Sequence, residues 1–366
     1  MTQNIDASGT ISLADQKKKL YKLLQTAFEL ELGTMPPYLM AILSIRPPHN
    51  RVASNIIHEI VMEEMLHLLL VGNLMTSLGG SIELTEGTIP TYPLRLKFDD
   101  KITFEDRQFD VNLAPFSKET IKTFTDIEQP RDWELLDQRL MFVEIDVPSY
   151  TVGGFYAAIG TTLKNLCQQY GEKEVFACDG SKQVNQAYYW WGRGEPIIIT
   201  DLESALRALS IIVLQGEGTS VAQFEAQGKP FENRELMAHF YRFREILCEQ
   251  CYRPGDDPRK DPSGDRLDVN YGPDAVFPII TNAKATDYAA GSLLSQLNFD
   301  FNRRYTLMLT QVVDALNGTP KVMYTAIMNG MHGLMPIAAK MVAMPIEGDR
   351  DGRTGAPSFE WIDPFS

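Results

Sequence analysis

Several side chains able to hold a cation stand where a helix should carry apolar residues. Along one stretch, Ile57, Ile60, Glu64, His67, Val71, Leu74 and Leu78 advance by alternating steps of three and four. That period describes the inward stripe of a bundle helix. A carboxylate and an imidazole occupy two of its places, three residues apart and on one face. Glu59 and Glu63 fall off the stripe and read as peripheral. Leu20, Leu24, Ala27, Glu31, Thr34, Tyr38, Ala41 and Ile45 step in the same way, with Glu31 in the middle, whereas Glu29 shares a face with Lys22 and Gln25 and should be solvated. A third stripe holds Leu206, Ser210, Val213, Glu217, Val221 and Phe224; a fourth holds Leu236, His239, Phe243 and Ile246, with Glu235 one turn before His239.

The chemistry these types suggest is metal binding. A buried ion without a partner costs several kcal/mol, and clustered carboxylates repel one another. A divalent cation reverses both penalties. Glu31, Glu64, Glu217 and Glu235 carry about four negative charges, which two divalent ions would balance. One Glu on each of two helices, with Glu-x-x-His on the other two, is the donor pattern of di-iron bundles. Glu64 and His67 fit it. The residue three before His239 is Leu236, so either Glu235 serves with a one-residue offset or that ligand is missing and the site holds one ion.

The elements that must position these groups follow from breakers and periodicity. Bundle helices are expected at about 13–45, 50–79, 201–224 and 231–252, the first two divided at Arg46-Pro47-Pro48-His49-Asn50 and the second stopped at Gly79-Gly80. Pro36 and Pro37 inside the first helix remove amide donors and predict a kink beside Glu31. Gly216 and Gly218 flank Glu217; each costs about 1 kcal/mol relative to Ala in a helix but would leave space beside that carboxylate. Residues 81–200 read as an α+β insertion, with strands near Leu94–Phe98 and Phe109–Leu113 and a helix at about 153–170. A Pro-, Gly- and Asp-rich loop covers 253–284, and two C-terminal helices are expected within 286–344. The whole reads as one elaborated, mainly α domain across 1–366.

Composition narrows the function classes. The net charge of -14 opposes binding to nucleic acid or anionic membrane. Four cysteines are too few for a disulfide framework in 366 residues, and Cys248-x-x-Cys251 lacks the second pair that zinc would need. The polar N-terminus has no apolar signal core, so a cytoplasmic location is expected. The weakly charged stretch 322–339 reads as a buried, Met-rich helix rather than a membrane span, with His332 as a core histidine. His49 and His58 read as surface residues, and Tyr188-Tyr189-Trp190-Trp191 as core or interface packing in preference to an aromatic-ligand platform.

Leu30-Glu31-Leu32-Gly33-Thr34-Met35-Pro36-Pro37-Tyr38-Leu39 and Glu63-Glu64-Met65-Leu66-His67-Leu68 resemble the ferritin-like domain of iminophenyl-pyruvate dimer synthases of violacein- and rebeccamycin-type pathways. Gln215-Gly216-Glu217-Gly218 and His239-Phe240-Tyr241-Arg242-Phe243 are similar too. The resemblance implies a ferritin-like four-helix bundle and a non-haem iron enzyme that couples imines derived from an aromatic amino acid. It also implies Glu31, Glu64, His67, Glu217 and His239 as ligands. One or two iron ions are expected, with manganese as an alternative. A small aromatic substrate would enter between the bundle and the insertion, with Tyr38 and Arg242 near it, and a homo-oligomeric state is open. The competing readings are metal storage or detoxification, and a metal-free bundle that serves as a binding module.

Overall fold

The computed structural model describes residues 12–96, 109–129, 152–189, 194–216 and 231–364. Helix α1 (Leu13–Ser44) begins at Ser12, whose hydroxyl accepts from the Asp15 amide, and α2 (Arg51–Ser77) returns beside it. Strands β1 (Leu94–Leu96) and β2 (Phe109–Val111) pair antiparallel, Leu94 opposite Val111. Then come α3 (Lys118–Ile127), α4 (Val152–Tyr170), α5 (Leu202–Gly216) and α6 (His239–Cys248). Helix α7 is Leu293–Leu316. Helix α8 starts as Val322–Thr325, passes through a π-helical turn, Ala326–Met331, and continues as His332–Val342.

A square of four helices holds the core: α1 packs on α2 and α4, and α5 packs on α2 and α4. The helix that closes it is therefore α4, whose run Gly153-Gly154 and Ala157-Ala158 offers small residues for close approach. The stretch 231–252, expected as the fourth bundle helix, supplies the shorter α6, which packs chiefly on α3 and also touches α2 and α5. Its first turn is not helical in the expected phase. Leu236 is 79% exposed, so the apolar stripe expected from Leu236 begins only at His239.

Helix α1 runs through both prolines, each buried. Pro37 cannot donate to the Gly33 carbonyl four residues back, and the Tyr92 hydroxyl donates to that oxygen instead, at 2.9 Å. The insertion thereby repairs a defect in the helix that carries Glu31. Helix α2 is long and apolar enough to cross a bilayer, yet 94% of its apolar window is buried within the protein, because neighbours cover it on every side. Helices α7 and α8 pack together over the outer side of α1 and α2. At this seam Gly72 lets α7 approach, since a Cβ there would lie 2.5 Å from Leu316. Against expectation, His332 is exposed, because it follows the π-helical turn on the outer side of α8. His58 is exposed as expected, and the four cysteines are free thiols of intermediate burial.

Candidate metal centre

Two groups of donors converge inside the bundle and share one residue. Glu31, Glu64 and His67 form the first; Glu64, Glu128 and His239 form the second. Within each group the ligand atoms all lie within 4.8 Å of one another, and every member is buried. Helix α1 supplies Glu31, α2 supplies Glu64 and His67 one turn apart, and α6 supplies His239 as its first residue. Glu128 is the residue that ends α3, its amide bonded to the Phe124 carbonyl.

The two imidazoles are held alike. His67 sets Nε2 2.9 Å from Gln215 Oε1, and turns Nδ1 towards Glu31 at 3.4 Å and Glu64 at 3.7 Å. His239 sets Nε2 2.9 Å from Glu63 Oε2, and turns Nδ1 towards Glu64 at 2.9 Å and Glu128 at 3.6 Å. An acceptor at each Nε2 assigns the proton there in the neutral ring, which leaves each Nδ1 lone pair facing carboxylate oxygens. The rings lie nearly parallel, 5.5 Å apart. Glu64 stands between them: Oε2 faces His67 and accepts from Thr34 at 3.3 Å, while Oε1 faces His239.

Two tyrosines complete this near-symmetry. Tyr156 of α4 donates to Glu31, and Tyr38 of α1 donates to Glu128 at 2.8 Å. The Tyr38 ring is wedged between Phe124 and Phe243, with centroids 4.5 and 5.1 Å away, so α3 and α6 fix the hydroxyl together. Burial first, and then the facing carboxylates, push both phenols far above their ordinary range, so each remains a donor.

The donor set fits a cation on a specific observation. His239 Nδ1 is fully buried and makes no hydrogen bond, although two carboxylate oxygens approach it. Lone pairs converging from three groups in a dry interior repel unless a positive charge lies among them. Protons can play that part. Burial disfavours the His67 imidazolium, but Glu31 and Glu64 outweigh it and raise the ring to about 10. His239 is driven well above its usual range against burial by Glu128, Glu63 and Glu64. Glu64 is held well below the carboxylate range by the two histidines, again against burial. Burial raises Glu31 to about 7 despite His67. Divalent ions would replace those protons with charge that bonds to several donors at once.

Glu63, read from the sequence as peripheral, is 3% exposed and sits behind His239. Arg242 donates to the same Glu63 oxygen and lies 3.8 Å from Glu59. Burial opposes the Glu63 charge, yet His239 and Arg242 hold its carboxyl down to about 2. From Ile60 onward α2 is enclosed on all sides, so a residue outside the stripe still meets a partner helix. Tyr38 and Arg242, expected near the substrate, are committed to Glu128 and Glu63. Sequence reasoning missed Glu128, which lies in the insertion; the spacing Ile121, Phe124, Glu128 was its signal. Gly216 instead adjoins Glu128, whose Oε2 would lie 3.3 Å from a Cβ there. Glu217 lies outside the described residues, as does the Glu235 side chain, whose backbone belongs to the turn Arg234–Leu236.

Comparison with known proteins agrees with this architecture. A family model described as Ferritin-like matches residues 24–248, which include every donor above. Dichlorochromopyrrolate synthase of Lentzea aerocolonigenes is 24% identical over 334 residues, covering 82% of this chain. The matched chain spans only 29% of that protein's length. A crystal structure of a ferritin-like protein from Caulobacter vibrioides superposes with a TM-score of 0.60 at 21% identity, covering 93% of this chain and 98% of that one.

Proposed function

Since the chain belongs to the ferritin-like family, we propose that it is a metal-dependent oxidoreductase whose two-metal centre is held by Glu31, Glu64, His67, Glu128 and His239. Glu217 joins them through the resemblance of its motif. Iron is the metal we assign, with manganese as the alternative. The observation that carries the reading is the pair of inward Nδ1 atoms, each facing carboxylates and both sharing Glu64.

Bound there, iron supplies the capacity to activate dioxygen or peroxide that side chains lack. The chain's own residues do the rest. Gln215 and Glu63 lock the two rings from behind, and such outer partners fix both the tautomer and the orientation of a ligating histidine. Arg242 balances the Glu63 charge. Tyr156 and Tyr38 hold Glu31 and Glu128 in place and keep their protons, so each can steady a carboxylate as the centre's charge changes. Thr34 does the same for Glu64. The surrounding apolar helices exclude water, which strengthens every one of these interactions.

The substrate class we infer is a small aromatic amine or imine, and the reaction an oxidative coupling in secondary metabolism. Two lines support this: the motif resemblance, and a relative named for making dichlorochromopyrrolate. The test is oxygen uptake by iron-loaded protein with candidate aromatic imines. Uptake that needs both iron and imine, and stops in His67→Ala, supports the proposal. Uptake that ignores the imine while iron accumulates as mineral would favour storage instead.

A further inference from the structure

The two halves of the centre match almost group for group. Each has one imidazole, one carboxylate of its own and a share of Glu64, and in each a tyrosine donates to the unshared carboxylate. Both rings are buried, and each turns Nδ1 inward and sets Nε2 2.9 Å from an acceptor behind it. With so much held equal, one difference remains. The acceptor behind His67 is the neutral amide oxygen of Gln215, and the acceptor behind His239 is the carboxylate of Glu63.

That difference changes what each ring can offer a cation. A carboxylate that accepts a ring N–H forms a charge-assisted bond and raises the basicity of the opposite nitrogen; a neutral amide oxygen does so far less. Arg242 donates to the same Glu63 oxygen, which alone would cancel the effect. Glu59, partly exposed, lies 3.8 Å from the same guanidinium, however. Two carboxylates therefore face one cation behind His239, and among the described residues a negative charge remains there. Helix ends do not reverse the imbalance. At this half α3 brings its negative C-terminal end through Glu128 and α6 its positive N-terminal end through His239, and the two oppose each other.

We propose that the centre holds its two ions unequally. The half formed by Glu64, Glu128 and His239 keeps a resident ion, and the half formed by Glu31, Glu64 and His67 takes a second, exchangeable one. Glu63 is the positioning residue that sets this order, acting through His239. The second half fills only where free metal exceeds its own weaker dissociation constant, so metal supply switches the two-metal centre while the first ion stays bound. The inference rests on the two-metal reading above and concerns the order in which that centre fills.

The experiment titrates full-length protein, labelled with 15N in its five histidines, with Zn2+ and follows the ring nitrogens by NMR. Zn2+ brings no redox chemistry of its own, and a ring nitrogen shifts when it coordinates. In wild type the first equivalent should shift the His239 resonances and the second those of His67, with the two steps at least about tenfold apart in affinity. Glu63→Gln should bring the steps together by weakening the His239 half. Gln215→Glu should bring them together from the other side, by strengthening the His67 half. A change that merely loosened the fold would tighten neither site, and the wild-type order is read without any variant. Filling of both halves at equal affinity, His67 filling first, or a gap that persists in Glu63→Gln would overturn the proposal and leave the two-metal reading standing. Rings that take up no Zn2+ at all would overturn both.

Discussion

Replacing Glu63 by Gln keeps the shape of the side chain and removes its charge, which isolates what that charge does. A carboxyl held near 2 instead of an ordinary 4.5 stabilises the fold by about 3 kcal/mol at neutral pH. An independent route gives a similar figure. Removing one partner of a buried pair typically costs about 3–5 kcal/mol, and here Glu59, 3.8 Å from Arg242, softens the loss towards the lower end. We therefore expect Glu63→Gln to lose about 3 kcal/mol in urea unfolding of metal-free protein at pH 7. The sign with pH follows from the depressed carboxyl. Its contribution is complete above about 4.5 and disappears as pH falls towards about 2, so wild type and variant should converge in acid. With metal present, the variant should also bind about 10–100-fold more weakly, the usual cost of losing a partner behind a ligating histidine. Glu29→Gln, on a residue of intermediate burial away from the site, should leave both measurements unchanged. A loss below about 0.5 kcal/mol, with unchanged metal affinity, would refute the placement of Glu63 behind His239.

Other outcomes follow from the same geometry. Metal affinity should rise with pH, because His67 holds a proton up to about 10 and Glu31 up to about 7, and both must be displaced; the rise should be steeper below about pH 7, and a flat profile in titration calorimetry would contradict it. Glu128→Ala should reduce the bound metal from two equivalents towards one, and full occupancy by elemental analysis would remove Glu128 from the ligand set. Gly72→Ala should destabilise by about 1–3 kcal/mol through overpacking against Leu316, read by urea unfolding; no loss would mean that α7 is not seated on α2 there.

The legible part of this site was the part set by helical periodicity. Glu31, Glu64, His67 and His239 interrupt apolar stripes, and a polar residue in such a stripe must meet something polar in the core. Glu128 escaped because a ten-residue helix inside an insertion gives too short a stripe to phase. Glu63 escaped because an amphipathic reading assumes one solvated face, and α2, though exposed at Val52 and His58, has none from Ile60 onward. Periodicity found α4 but not its place: which helix closes the bundle depends on long-range packing that leaves no local mark. The pairing of Pro37 with Tyr92 was equally hidden, since 55 residues of chain separate a missing donor from its substitute. Beyond the family match, the α7–α8 hairpin was visible as two helices, though its π-helical turn was not.

The account depends on Glu64 serving two metals at once. Elemental analysis of iron-reconstituted protein measures this directly, comparing wild type with Glu64→Ala and with Glu29→Ala as control. Two ions per chain in wild type and control, and none retained in Glu64→Ala, is the predicted result. Wild-type protein that stays metal-free after reconstitution, or Glu64→Ala that keeps both ions, would contradict it.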